Sequence, residues 1–549
     1  MNRSGDYKKT ADSYFDFLAE NFPVMCASDE FDFFPRVANA DRHYDKLGSF
    51  DSKAIENFID RLKDFHKRFA AAQDDETADL DNFIDLQLLG ANAAGILIEL
   101  DTKRSWRFNP LLYLKICFIG LDHALNKPAL ESREVRERSL ARLSEIPDII
   151  KNGMDNIQSV PEAYYQASMR MIQDCGVYLK EIGHDLSKKF PDHRDMTSRA
   201  LQAAGNSLEK FNRFLKSKSP EPDRRFAVST LERSLKNHFL SCHTPADIFA
   251  IAAEEWQQIL EQLQNLQARV DTTRTWEQLY HAYTPSQTAE TEILALYGEE
   301  IDRLRTFFSQ NGFSEELLIS PMEIKYTPTY LKSVRSSASF AAAFSRDPVE
   351  KSYFYISTDF PQFNSKETDL HLQSRLNREY KMLTAHETIP GHHFLDSFRR
   401  RLANPIRRQI ESPLFYEGWA TYAESMLIEY GYLNEPMELL VSLKRDLWRS
   451  ARCQIDVGLT IGKFSEDRAA ELLKTCGFAE AEASRQLDRF RLNPGYQLCY
   501  CYGSHEFKQL KKKYGHLLED KDFYTFLLKG GELPFHLLDR RFANLQQRE

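Results

Sequence analysis

The feature that most limits what this chain can fold into is its scarcity of backbone breakers. Only 22 glycines and 21 prolines are spread over 549 residues. These residues end helices and punctuate strands, so their scarcity favours long helices over many short strands. The apolar pattern agrees. Ile55, Phe58, Ile59 and Leu62 recur at helix spacing, followed by Phe65 and Phe69, and residues 51–130 read as helical. Arg133–Met154 continues as helix with a break expected at Pro147, and Ala163–Leu186 and Met196–Leu215 are further helices. Lys216–Arg225 (KSKSPEPDRR) reads as a loop. Helices resume over Ala227–Tyr283, and Thr284-Pro285-Ser286 predicts the cap of another that runs through Phe308. Near residue 320 the character changes. Met322–Tyr330 and Ser352–Thr358 are rich in β-branched and aromatic residues, and Ser336–Phe344 between them is small and polar, then apolar. A sheet of two to four strands is expected there. Helical periodicity returns at about Leu370 and lasts to the end. The expected fold class is mainly α: a large helical, bilobed body around a deep cleft, with a small β-sheet preceding one unusual helix. The expected division is a helical region 1–320 and a region 321–549 carrying the sheet and the chemistry, the two able to form one continuous unit.

The unusual helix carries His386-Glu387-Thr388-Ile389-Pro390-Gly391-His392. Leu372, Leu376, Tyr380 and Leu383 lead into it as an apolar stripe. A regular zinc helix places two histidines at i and i+4 with a general-base Glu after the first. Here the i+4 position is Pro390, which cannot ligate. His392, at i+6, would lie roughly 120° off the face of His386 on an undistorted helix. Pro390 supplies a distortion: it has no N–H for the carbonyl of His386, and its ring clashes with that carbonyl. Gly391 can take backbone angles that other residues cannot. A break at 389–391 is therefore predicted, swinging His392 to where the i+4 histidine normally sits and making a zincin-type active-site helix. His393, at i+7, returns to the face of His386 but lies about 10 Å along the axis. It reads as a histidine behind the ligands or at the surface.

Ser412-Pro413 predicts a helix start, and Gly431 its stop. Between them Glu417, Thr421 and Glu424 share one face of a helix otherwise rich in Phe415, Trp419, Tyr422 and Met426. Glu417 would complete a His-His-Glu ligand set and leave a fourth position for water. Glu424 would orient a histidine through its other ring nitrogen, or else be an ordinary salt-bridge partner.

These residues resemble the bacterial family known as domain of unknown function 885, whose hallmark is HExxPGH followed by EGWAxYAE. Here they read HETIPGH (386–392) and EGWATYAE (417–424). Ala141–Pro147 resembles that family's RLxxIP stretch. Arg489, Pro494-Gly495, Tyr500 and Gly503 resemble its C-terminal PGQALAYKIG segment. Tyr496 stands where the family has Gln and Cys501 where it has Lys, so no role is carried over for those two. The resemblance implies a gluzincin-like zinc metallopeptidase with a mainly helical body around a cleft. By this matching His386, His392 and Glu417 hold one Zn2+, and Glu387 is the base that activates water. Tyr500 is the candidate donor to the developing oxyanion, with Tyr496, Tyr502 and His505 as competitors and a plain core role as the alternative. The strand near 352–358 is expected to bind an extended peptide along its edge. Arg489 is the candidate to hold a substrate carboxylate.

A formal net charge of −9, with no long basic block, disfavours a nucleic-acid partner. Phe83–Leu100 is apolar but interrupted by Asp85, Gln87, Asn92 and Glu99, so a buried helix is expected and not a membrane span. Met1–Phe31 shows no secretory leader, and eight scattered cysteines suggest reduced thiols. A cytoplasmic protein is expected from these two observations. A peptide substrate is the first expectation. A zinc hydrolase of a non-peptide amide or ester is an alternative, and so is a non-catalytic helical peptide-binding protein with a residual metal site. The ligand set would accept zinc, manganese or cobalt, and nothing in the sequence speaks to oligomeric state.

Overall fold

The computed structural model describes residues 6–72, 79–288, 291–358 and 366–547. It is mainly α-helical with one small sheet, as expected. Helix α1, Leu80–Leu97, is capped by Asp79, which accepts from the amides of Asp81 and Asn82. By length and composition Leu80–Arg107 is apolar enough to cross a membrane, and 72% of its apolar window is packed inside the protein. Helix α2, Ser132–Asn156, runs straight through Pro147. The expected break does not occur, because Leu143, Ile146, Ile149 and Ile150 are all buried around the proline, and their packing outweighs one lost backbone hydrogen bond. Arg142, in the RLxxIP stretch, is buried and donates to the carbonyls of Lys46, Gly120 and His43. It ties α2 to the 43–46 segment and to the neighbouring helix Pro110–Asn126. Helix α3 spans Arg194–Lys216 and α4 spans Pro245–Val270. Helix α5 begins at Ile293, with Glu292 accepting from the amides of Leu294 and Ala295. The cap expected at residues 284–286 makes only a short 3-10 turn, Ser286–Thr288.

Three strands follow: β1 Met322–Tyr326, β2 Ala338–Ala341 and β3 Ser352–Ile356. Their order is β1-β3-β2, with β1 parallel and β2 antiparallel to β3. Every residue of β3 is buried. This corrects the expectation that the strand near 352–358 offers an edge to a peptide: it is the central strand, with both edges already paired. Strand order is set by long-range topology, which strand propensity does not report. The edge that reaches the motif helix is β2.

The C-terminal half supplies the working helices: α6 Tyr380–Glu387, α7 His392–Arg400, α8 Pro413–Glu429, α9 Pro436–Thr460, α10 Glu480–Leu492 and α11 Leu498–Tyr514. Helix α4 packs along α9, and α8 along α11. One apolar core runs from Tyr7 to Phe542, joining both halves of the chain. A cavity of about 1650 Å³ opens among these helices, and its wall includes His386, Glu387, Tyr496 and Tyr500.

Candidate metal centre

The chain leaves helical geometry at Thr388, whose φ is −123° and ψ −93°. Helix α7 restarts after Gly391, so the two motif histidines belong to two separate helices. The break falls where Pro390 predicted it. Gly391 donates to the carbonyl of Ala385, and Phe394 to that of Thr388. Trp419 of α8 donates its indole N–H to the carbonyl of Pro390 at 2.9 Å, pinning the break from outside.

The consequence is convergence. One ligand atom each from His386, His392 and Glu417 lie within 4.8 Å of one another, and all three residues are buried. Glu417 Oε2 stands 3.6 Å from His386 Nε2 and 3.5 Å from His392 Nε2. Those separations are too long for good hydrogen bonds. They match the spacing of ligands around one tetrahedral ion with bonds of about 2.0–2.2 Å. Glu417 Oε2 is buried and has no hydrogen-bond partner among the described residues. A carboxylate oxygen left so, facing two imidazole nitrogens, fits a divalent cation.

The other oxygen of Glu417 is occupied. Its Oε1 accepts from Tyr500 at 2.8 Å and from Tyr496 at 2.7 Å. Both phenols come from the α11 end. They reach Glu417 because α8 and α11 cross at two glycines: a Cβ on Gly418 would lie 2.6 Å from the backbone of Gly503. Burial first, and Glu417 next, push both phenols above their usual pKa, so they stay protonated donors. Burial opposes ionisation of Glu417, but His386 and His392 outweigh it and hold its carboxyl well below the usual range. His392 stacks on Tyr416, with ring centroids 3.9 Å apart.

Glu424 accepts from His386 Nδ1 at 2.9 Å, which leaves Nε2 free to face Glu417. Glu424 is itself gripped by Arg445, at 2.9 and 3.0 Å, and by Arg449. Burial opposes its charge, but the two guanidinium groups and His386 hold its carboxyl well below the usual range. Arg445 continues to Glu379, at 2.7 Å. Burial also works against charge on His386, and the carboxylates of Glu417, Glu424 and Glu387 reverse this and raise its pKa. Glu424→Gln removes the negative charge while keeping the shape. We expect it to weaken metal binding about 10–100-fold and to destabilise the fold by about 1.5–3 kcal/mol; metal titration and thermal denaturation of the same samples check both.

Glu387 lines the cavity beside His386, and its Oε2 accepts from the amide of Phe340 on β2 at 2.6 Å. His393 points away from the cluster. It is buried, with Nδ1 2.9 Å from Ser352 Oγ and Nε2 3.2 Å from the carbonyl of Ser320. It ties α7 to the sheet, and neither ring nitrogen is left to support a ligand. This corrects its placing behind the metal ligands. Arg489 lies in the cavity wall. Tyr502 and His505 turn to other partners, Ser241 and Glu255. Sequence reasoning missed Arg445 and Arg449. Their spacing of four, on one face of one helix, was the available signal. It also missed Asp32, a cavity-wall carboxyl raised to about 7 by burial, against Lys115 and with Glu30 and Glu417 adding.

The family model described as "Bacterial protein of unknown function (DUF885)" matches residues 36–542. The chain belongs to this family. No curated protein matches it significantly. Among solved structures, DUF885's architecture here is similar to "a putative lipoprotein of unknown function from Shewanella oneidensis". That match has 17% identity over 91% of this chain and 94% of the other, with a TM-score of 0.70. It is also similar to "the putative lipoprotein from Colwellia psychrerythraea", at 16% identity over 99% of this chain and 100% of the other, with a TM-score of 0.78. At these identities the likeness shows the fold. The descriptions nevertheless overturn the expectation of a cytoplasmic protein, since both similar proteins are described as lipoproteins. The cysteines do not report the compartment, for a physical reason. All eight cysteines are free, but seven are buried, and a buried thiol stays reduced wherever the protein resides.

Proposed function

We propose that this DUF885 chain is a metal-dependent peptidase acting on short peptides. The observation that carries the reading is the convergence of His386, His392 and Glu417, with His386 and Glu387 lining a cavity of about 1650 Å³. Two imidazoles and one carboxylate leave a coordination position open, unlike the closed four-residue sets of structural zinc sites. A divalent metal held there would supply Lewis acidity and an activated water. Glu387 accepts a proton at its carboxylate and returns it to the leaving amine, while the Phe340 amide fixes its orientation. Tyr496 and Tyr500 orient Glu417 through Oε1 and keep Oε2 facing the imidazoles. Either phenol, once turned from Glu417, is a donor for a developing oxyanion. The cavity exceeds the roughly 300–1,000 Å³ of ordinary small-molecule pockets, which favours an oligopeptide.

Elemental analysis of the wild type, His392→Ala and His393→Ala tests the centre. We expect one equivalent of zinc, manganese or cobalt per chain in the wild type, loss in His392→Ala and retention in His393→Ala. His393→Ala should instead lower the melting temperature. Hydrolysis of a mixed peptide library should stop on chelation and return when the metal is restored. A wild-type protein that takes up no metal when offered it would sink the reading.

A further inference from the structure

The metal centre leaves unexplained a group of arginines on the adjoining cavity wall. Arg375, Arg452 and Arg489 all line the cavity. Two of them have protein partners. Arg375 lies 3.5 Å from Glu379, and its guanidinium sits 5.2 Å from the Trp448 ring. Arg452 donates to Gln497 Oε1 at 2.6 and 3.1 Å. Arg489 makes no hydrogen bond or ion pair with any described residue. The groups whose fields reach it are Arg452, Tyr500 and Arg375, two of them cations. Its side chain is exposed and lines the cavity. The surrounding protein first, and then the two neighbouring guanidinium groups, push its pKa down to about 10. It stays charged at neutral pH without a counter-ion. Arg489 is exposed on the cavity wall with no counter-ion of its own, and a free guanidinium offers a carboxylate two parallel donors.

The position relative to the centre is set by a stack. The Arg452 guanidinium lies 3.8 Å from the Tyr500 ring centroid. That ring lies nearly parallel to His386, at 14°, with centroids 6.4 Å apart. The guanidinium is therefore at most ~10 Å from the imidazole, a distance that about three residues of extended chain cover.

Resting on the peptidase reading, we propose that Arg489, with Arg452 and Arg375 beside it, seats a carboxylate of the substrate. With Arg452 of the seat this close to His386, a peptide held there by its C-terminal carboxylate is cut within a few residues of that end. A side-chain carboxylate offers the same chemistry, and the experiment separates the two.

Binding is measured by calorimetry on metal-loaded Glu387→Gln protein, so that no turnover is needed. Three probes are used: an N-acetylated alanine peptide with a free C-terminal carboxylate, its C-terminal amide, and an amidated version with one internal glutamate. We expect the free acid to bind about 10–100-fold more tightly than the amide. In Arg489→Met the two should bind alike, with amide binding unchanged, and Arg489→Lys should fall between. Arg489 holds no other residue in place, so both variants should melt near the parent. If the glutamate peptide binds like the free acid, the seat takes side-chain carboxylates; if it binds like the plain amide, the seat takes the chain terminus. Equal binding of acid and amide in the parent, or a preference that survives Arg489→Met, overturns the proposal. Failure of the peptidase reading looks different: the preference remains, but wild-type protein with metal releases no fragments from any of the three.

Discussion

Glu387→Gln yields a protein that folds, keeps its metal and hydrolyses peptides about 10²–10⁴-fold more slowly than wild type, the range attributed to one positioned acid–base group. The geometry makes this a clean substitution. Glu387 accepts from the Phe340 amide through Oε2. A glutamine presents its carbonyl oxygen to the same donor, so the side chain stays anchored and β2 keeps its partner. What is lost is the capacity to take a proton on the other oxygen. Metal content, melting temperature and initial rates measured on one preparation distinguish the outcomes. Normal turnover in the variant would show that Glu387 is not the base. Loss of metal together with activity would show that it serves the fold.

Gly391→Ala should destroy the centre from a single methyl group. The added Cβ would lie 1.9 Å from the carbonyl oxygen of His386 and 2.5 Å from that of Ala385. Both are backbone atoms, so no flexible side chain can move aside. The segment must shift as a whole, and His392 follows Gly391 directly. We expect about 3 kcal/mol or more of destabilisation and metal content near zero. Gly205, in helix α3, is the matched control. A Cβ there meets nothing within 4 Å, and Gly205→Ala should stabilise by about 0.5–1 kcal/mol. If Gly391→Ala melts and binds metal like wild type, the close approach at the break is wrong.

What was legible in the sequence follows the range of the physics. The break after Glu387 could be read because a missing N–H and a clashing ring are properties of Pro390 itself. The facing of Glu417 and Glu424 followed from helix periodicity within α8. The sheet's place in the chain followed from β-branched and aromatic runs. Failures came where distant packing decides. Pro147 sits inside a helix because its neighbours are buried, and β3 became central because β2 and β1 both found it. His393 is claimed by Ser352 and Ser320, which lie 41 and 73 residues away in the chain. The clamp of Arg445 and Arg449 on Glu424 needs α9 laid against α8, and no local rule places it there.

The division of the ligands among α6, α7 and α8 has a thermodynamic consequence. In an uninterrupted zinc helix, two ligands are spaced by the helix pitch alone, so the pair survives whenever that helix does. Here the spacing exists only while three rods, entered through separate loops, hold their mutual positions. A metal ion bound across them acts as a tie between tertiary elements, and its binding energy is added to the cohesion of the packed state. Metal at a hundred times its dissociation constant would add about 2.7 kcal/mol to that state. Equally, any strain that slides α7 against α8 would be opposed by such an ion. If the centre holds a metal, its occupancy and tertiary order are two readings of one equilibrium.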